Sequence, residues 1–124
     1  MSIRIAPSLL SADFSRLADE VADVERAGAD LLHLDIMDGH FVPNLTFGPA
    51  VVRAIASRSK IALDAHLMVT NPDDLIDDLL AAPVARIAVH VEVCDHLQRT
   101  LENIRTGGAA AGVAINPASA LSLL

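Results

Sequence analysis

The stretch HLDIMDGHFVPN, from His33 to Asn44, decides how the 124-residue chain is read. At a period of two, Leu32, Leu34 and Ile36 fall on one face, and His33, Asp35 and Met37 fall on the other. A single strand from Leu31 to Met37 therefore has a dry face and a chemical face, and Asp38-Gly39 ends it. The loop that follows runs to Pro49 and is the longest piece without periodicity. It holds Phe41 and Phe47 together with Pro43, Asn44 and Gly48, the composition of a shaped surface loop rather than a linker. Chemistry at the C-terminal end of a strand is a habit of α/β proteins.

Working outward, Ile61 to Met68 repeats the pattern, with Asp64, His66 and Met68 on one face and Leu63, Ala65 and Leu67 on the other. Upstream, Ile3 to Pro7 reads as a first strand closed by proline, with Ser8 at its tip. Downstream, Arg86 to Val91 reads as a fourth strand with His90 and Glu92 on the Arg86 and Ala88 face, and Gly112 to Ile115 as a fifth. The segments between them carry helical signals. Asp13 or Ser15 can cap a helix with Phe14, Leu17, Val21 and Val24 on its dry side, Arg16, Asp19, Glu20, Asp23 and Glu25 on its wet side and Gly28 as its stop. A short helix spans Pro49 to about Ser57. Asn71-Pro72-Asp73 starts another, striped by Leu75, Ile76, Leu79 and Leu80 and ended by Pro83. One more runs from about His96 to Arg105 and stops at Gly107-Gly108, and Ser119 to Leu124 looks like the opening of a fifth.

Strands separated by single amphipathic helices are βα units, and right-handed crossovers make their sheet parallel. Polar residues end at least four successive strands: Ser8, His33 with Asp35, His66, and His90. That favours convergence on a barrel mouth, because an open sheet gathers its site at one switch point. The predicted fold is α/β, a TIM-type (β/α)8 barrel of which four and a half units are present as one domain, residues 1–124. A complete barrel needs ~250 residues, so this is about half of one.

Composition narrows the function. Hydrophobic residues make up 52% of the chain and charged ones 20%, which fits a globular domain rather than a disordered tail. A net charge of −7 with no Lys/Arg cluster argues against nucleic acid or an anionic membrane as partner, and a small soluble ligand fits better. No apolar run approaches the ~20 residues of a membrane span, and no basic-then-apolar leader opens the chain, so a cytoplasmic protein is expected. The lone Cys94 cannot form an internal disulfide, and with no activating neighbour in the sequence it reads as a core or loop residue.

His33, Asp35 and His66 form the chemical constellation. Mixed nitrogen and oxygen donors suit Zn²⁺, Mn²⁺, Fe²⁺ or Co²⁺ better than Ca²⁺ or Mg²⁺. From pattern alone, one divalent ion and a pH-tuned polar cluster without metal are equal readings. Asp64, deeper on the same face, either accepts a proton from a ligand's second nitrogen or pairs with Arg86 or Arg4. Ser8 either donates to a substrate oxygen or caps local backbone. Met37 and Met68 read first as core filler, and His40 as a loop residue.

The chain resembles the ribulose-phosphate 3-epimerase family over the N-terminal half of that family. The resemblance rests on IAPSLLSADF with Ser8, HLDIMDGHFVPN with His33 and Asp35, the FGP of Phe47 to Pro49, LDAHLMV with His66, HVE at His90 to Glu92, and GVAINP at Gly112 to Pro117. It implies a barrel that interconverts ribulose 5-phosphate and xylulose 5-phosphate by moving a proton at C3 through an enediolate, a reaction of pentose phosphate metabolism and carbon fixation. It further implies His33, Asp35 and His66 as metal ligands, Asp35 as one of two acid/base carboxylates, and Ser8, His66, Met37 and Met68 as substrate contacts. The second aspartate, also a fourth ligand, and the phosphate-binding loops come from later strands in that family. The 124 residues alone are therefore expected to have negligible activity, and to aggregate, to form a homo-oligomer or to be half of a longer protein. Two other readings compete with this one. A hexulose-phosphate synthase would carry a D-x-K pattern where Asp64-Ala65-His66 stands, and a non-catalytic half-barrel would serve as an assembly module.

Overall fold

The computed structural model describes residues 2–124. Four parallel strands, β1 (Leu31–Met37), β2 (Ala62–Met68), β3 (Val84–His90) and β4 (Ala110–Ala114), lie side by side in chain order. Four helices, α1 (Leu17–Arg26), α2 (Pro49–Ala56), α3 (Asp73–Leu80) and α4 (Leu97–Thr106), alternate with them, and successive helices touch. Every crossover steps to the adjacent strand, which is the arc of a TIM-type barrel; an open doubly wound sheet would reverse direction at a switch point.

Alternation in the sequence becomes two faces. Leu32, Leu34 and Ile36 of β1, Leu63, Ala65 and Leu67 of β2, and Ile87 and Val89 of β3 are at most 2% exposed. They share one core with Val52, Ile55, Ile76, Leu79 and Ile104 from the helices. The opposite face carries His33, Asp35, Asp64, His66, Arg86 and Ala88. β3 begins earlier than the alternation predicts because the register slips between Leu63 and Asp64, pairing Leu63 with Val84 and Asp64 with Arg86. That irregularity takes up Ala85 and restores the period-two reading from Arg86 onward.

Two expected elements differ. Residues 3–7 are extended but are not a regular strand. The carbonyl of Ile5 accepts from the N–H groups of Asp30 (2.9 Å) and Leu31 (3.3 Å), that of Pro7 accepts from His33 N–H (2.9 Å), and Ser8 makes a parallel bridge to His33. Pro7 has no N–H to return, and Ile3 is 92% exposed, so the ladder is one-sided. Residues 119–124 do not open an α-helix; Leu121–Leu123 form a single 3₁₀ turn. Leu121 and Leu123 lie exposed, and so short a helix is not stable without a packed face.

The first helix also starts later than the capping signals suggest. Asp13 caps a 3₁₀ turn, Phe14–Arg16, by accepting from Ser15 N–H at 2.9 Å, and α1 follows directly. Phe14 then meets Phe47 edge to face, with ring centroids 5.5 Å apart, so two distant aromatics pin the first turn to the long loop. Glu25, on the side expected to be wet, accepts from Lys60 N–H at 2.7 Å and Ser59 hydroxyl at 2.9 Å. It ties the end of α1 to the approach to β2, and the Lys60 bond first, together with Ser59, holds its carboxyl below the usual value.

The long loop is clamped by Asp38. Its carboxylate accepts from the N–H groups of His40 (2.9 Å), Phe41 (3.0 Å) and Thr70 (2.8 Å) and from Thr70 hydroxyl (2.8 Å). The following Gly39 takes φ +76°, a left-handed conformation that suits glycine. Thr46 closes the other end, its hydroxyl donating to Asp35 carbonyl (2.7 Å) and accepting from Met37 N–H (3.0 Å). Led by the Thr70 N–H bond, these donors hold Asp38 far below the ordinary 3.8. A depressed carboxylate stabilises the fold above its unfolded value and loses that contribution as pH falls through the folded one. The clamp is therefore expected to survive acidification past pH 3.8. NMR of the Thr70 amide should show its transition well below that pH; a transition above it would contradict the clamp.

Candidate metal centre

Parallel register brings the chemical face together. Asp35 pairs with His66, His33 with Asp64, and Met37 with Met68 across β1 and β2. One ligand atom each from His33, Asp35 and His66 lies within 4.8 Å of the others, a group able to hold a metal ion. His33 Nε2 stands 3.3 Å and His66 Nδ1 3.5 Å from the same oxygen, Asp35 Oδ1. These separations are long for charge-assisted hydrogen bonds, about 2.7–2.9 Å. They suit donors arranged around one ion with bonds of ~2.0–2.1 Å. The three side chains are 27%, 13% and 23% exposed, so the group is partly desolvated yet open on one side.

Each of the three is held from behind. His33 Nδ1 and Asp64 Oδ2 are 3.0 Å apart, so of the two sequence readings for Asp64 the partner to the histidine's second nitrogen is the one formed. Asp35 Oδ2 accepts a short hydrogen bond from Ser8 hydroxyl, while Ser8 Oγ also accepts from Leu10 N–H at 3.1 Å. Ser8 thus caps local backbone, as one expectation had it, and its proton goes to Asp35. His66 Nε2 meets His90 Nε2 at 2.8 Å. Burial first, then the neighbouring His90, holds His66 below the ordinary histidine value, with Asp35 opposing.

His90 is 6% exposed and sits under the Phe41 ring, centroids 4.7 Å apart. Its Nδ1 lies 3.2 Å from Glu92 Oε2, and the other Glu92 oxygen accepts from Asn116 N–H at 2.6 Å. The Asn116 bond above all holds Glu92 down to about 2. Alternation placed His90 on the right face, but Glu92 lies beyond the strand in the 3₁₀ turn Val91–Val93, where a period of two no longer reports direction. No sequence signal marked the Ser8 to Asp35 bond. Met37 is buried and Met68 is half-buried beside it. His40 is an exposed loop residue, its Nδ1 bound to Asp38 carbonyl at 3.1 Å. Burial, and then Asp73, pushes the Cys94 thiol up, away from nucleophilic character. No helix among the described residues is long and apolar enough to cross a membrane.

An arc of parallel βα units with imidazole and carboxylate donors along one face of its strands defines a TIM-type barrel protein with a candidate divalent-metal site. The match to known proteins is more specific: the chain belongs to the ribulose-phosphate 3-epimerase family, whose model covers residues 4–124. It is 49% identical over 115 residues to the ribulose-phosphate 3-epimerase of Bacillus subtilis (strain 168), covering 93% of this chain and 53% of that protein. With that of Rhodospirillum rubrum it shares 50% identity over 123 residues, 99% of this chain and 55% of the relative. The Escherichia coli (strain K12) protein of the same name is 46% identical over 121 residues, covering 97% and 54%. The chain thus spans about half the length of the curated relatives it matches.

Proposed function

We propose that residues 1–124 form the N-terminal half of one ribulose-phosphate-binding barrel, which epimerises D-ribulose 5-phosphate to D-xylulose 5-phosphate at C3 in the cytoplasm. The observation that carries this reading is the convergence of His33, Asp35 and His66 within 4.8 Å on one face of the sheet of a family member. The donor set fits one divalent ion, Zn²⁺, Mn²⁺, Fe²⁺ or Co²⁺. When bound, such an ion offsets negative charge developing on the substrate oxygens as the C3 proton leaves.

The chain's own residues do the rest. His33 and His66 orient the donors. Asp35 is the acid/base group for one face of C3, and Ser8, by donating to its Oδ2, fixes the plane of the carboxylate. Met37 and Met68 present apolar, polarizable surface beside it and keep water from the reacting carbon. Ser8 and His66 are also the proposed contacts to the sugar, Ser8 by accepting from a sugar hydroxyl and His66 by its ring edge, since its two nitrogens are otherwise engaged. Inverting a centre needs a proton donor on the opposite face, which the family resemblance implies comes from an aspartate on a later strand.

The 124 residues alone accordingly hold one of the two acid/base groups. Their rate on ribulose 5-phosphate with added Mn²⁺ or Zn²⁺ is expected to be at least about 10²-fold below that of a full-length relative, the lower end of what one positioned acid/base group contributes. A coupled assay of xylulose 5-phosphate checks this. A rate near the full-length one would overturn the two-carboxylate assignment.

A further inference from the structure

We infer that His90 and Glu92 are positioning residues for His66, setting which of its ring nitrogens is free to bind an ion. The inference rests on His66 being a ligand and follows from proton bookkeeping along one chain of contacts. A carboxylate only accepts, so Glu92 Oε2 at 3.2 Å takes the proton of His90 Nδ1. With one proton on each ring, Nε2 of His90 carries the lone pair. His66 Nε2, 2.8 Å away, has to be the donor. That leaves His66 Nδ1 without a proton, and Nδ1 is the atom facing Asp35 Oδ1 at 3.5 Å.

The rings support an in-plane bond. Their centroids lie 4.9 Å apart with 23° between planes, the spacing of two imidazoles joined edge to edge. The pair is anchored at its far end, since Asn116 N–H donates to Glu92 Oε1 at 2.6 Å and fixes the carboxylate's orientation. Phe41 covers His90, which limits water that could take over either bond. The same logic reaches His33 from the other side: Nδ1 donates to Asp64, and Nε2 is left bare toward Asp35. Two carboxylates, one on β2 and one beyond β3, thus aim two imidazoles at the same point. Such outer partners typically account for 10–100-fold in metal affinity.

Tautomers are read directly by long-range ¹H–¹⁵N NMR of the metal-free 124-residue chain. His90 is expected as the Nδ1–H form and His66 as the Nε2–H form. Finding His66 protonated at Nδ1, or His90 at Nε2, would overturn the inference whether or not the chain binds metal. Titration with Zn²⁺ alone supplies the second readout. His90→Phe is expected to lose about 10–100-fold in affinity, whereas His90→Gln, whose carbonyl can accept from His66 Nε2, recovers at least about tenfold of it. Equal affinities for the Phe variant and the unaltered chain would also overturn it. Expected tautomers in a chain that binds no Zn²⁺ would instead sink the metal reading and leave the relay standing.

Discussion

Asp35→Asn is expected to weaken divalent-ion binding by more than the 10–100-fold typical of losing an outer partner, because it removes the only anionic member of the triad. Asp35 Oδ1 is the point that both imidazoles face, at 3.3 and 3.5 Å. Asparagine keeps the shape and can still accept from Ser8, so the loss is one of charge and donor strength. On the proposed mechanism, the same substitution in a polypeptide carrying the whole barrel removes an acid/base group and should cost about 10²–10⁴ in kcat beyond any metal effect. Calorimetric titration with Mn²⁺, paired with the epimerase assay at saturating metal, separates the two. Unchanged affinity would remove Asp35 from the ligand set, and unchanged kcat would remove it from proton transfer.

The second large effect is on stability. Leu34 is fully buried at the centre of β1, between the two site residues His33 and Asp35. Leu34→Ala should cost about 2–5 kcal/mol from lost burial and the cavity left behind. Against a typical stability of about 5–15 kcal/mol, that is a large fraction of the total. Ile3→Ala, at a side chain 92% exposed, should stay within about 0.5 kcal/mol. Urea unfolding of both variants checks the contrast. Similar midpoints for the two would mean that the buried face of β1 is not where the fold is held.

That contrast also shows what a period of two can and cannot report. Alternation along Leu31–Met37 and Ala62–Met68 separates the buried leucines from His33, Asp35 and His66 because each strand has one face packed under helices and one that is not. It says nothing about which residue stands beside which. The pairing of Asp35 with His66 is a property of parallel register, set by the lengths and packing of the helices between the strands. Contacts made by residues just outside a regular strand were harder still. Ser8 reaches Asp35 from the end of an extended segment, and Glu92 reaches His90 from a 3₁₀ turn. Glu25 looked like a solvated helix residue because helical periodicity describes a face, and the bond it makes lies off the end of the helix. The expected strand over residues 3–7 failed for a local reason: apolar alternation was present, but Pro7 cannot donate and only one side is paired.

X-ray absorption at the cobalt edge, on the chain loaded with one equivalent of Co²⁺, tests the proposed centre most directly. The expected spectrum has two imidazole nitrogens with oxygen donors at ~2.0–2.1 Å, and His33→Ala and His66→Ala should each remove one imidazole. A chain that takes up no Co²⁺, or an ion that keeps both imidazoles after either substitution, would contradict the assignment of His33, Asp35 and His66 as the metal site.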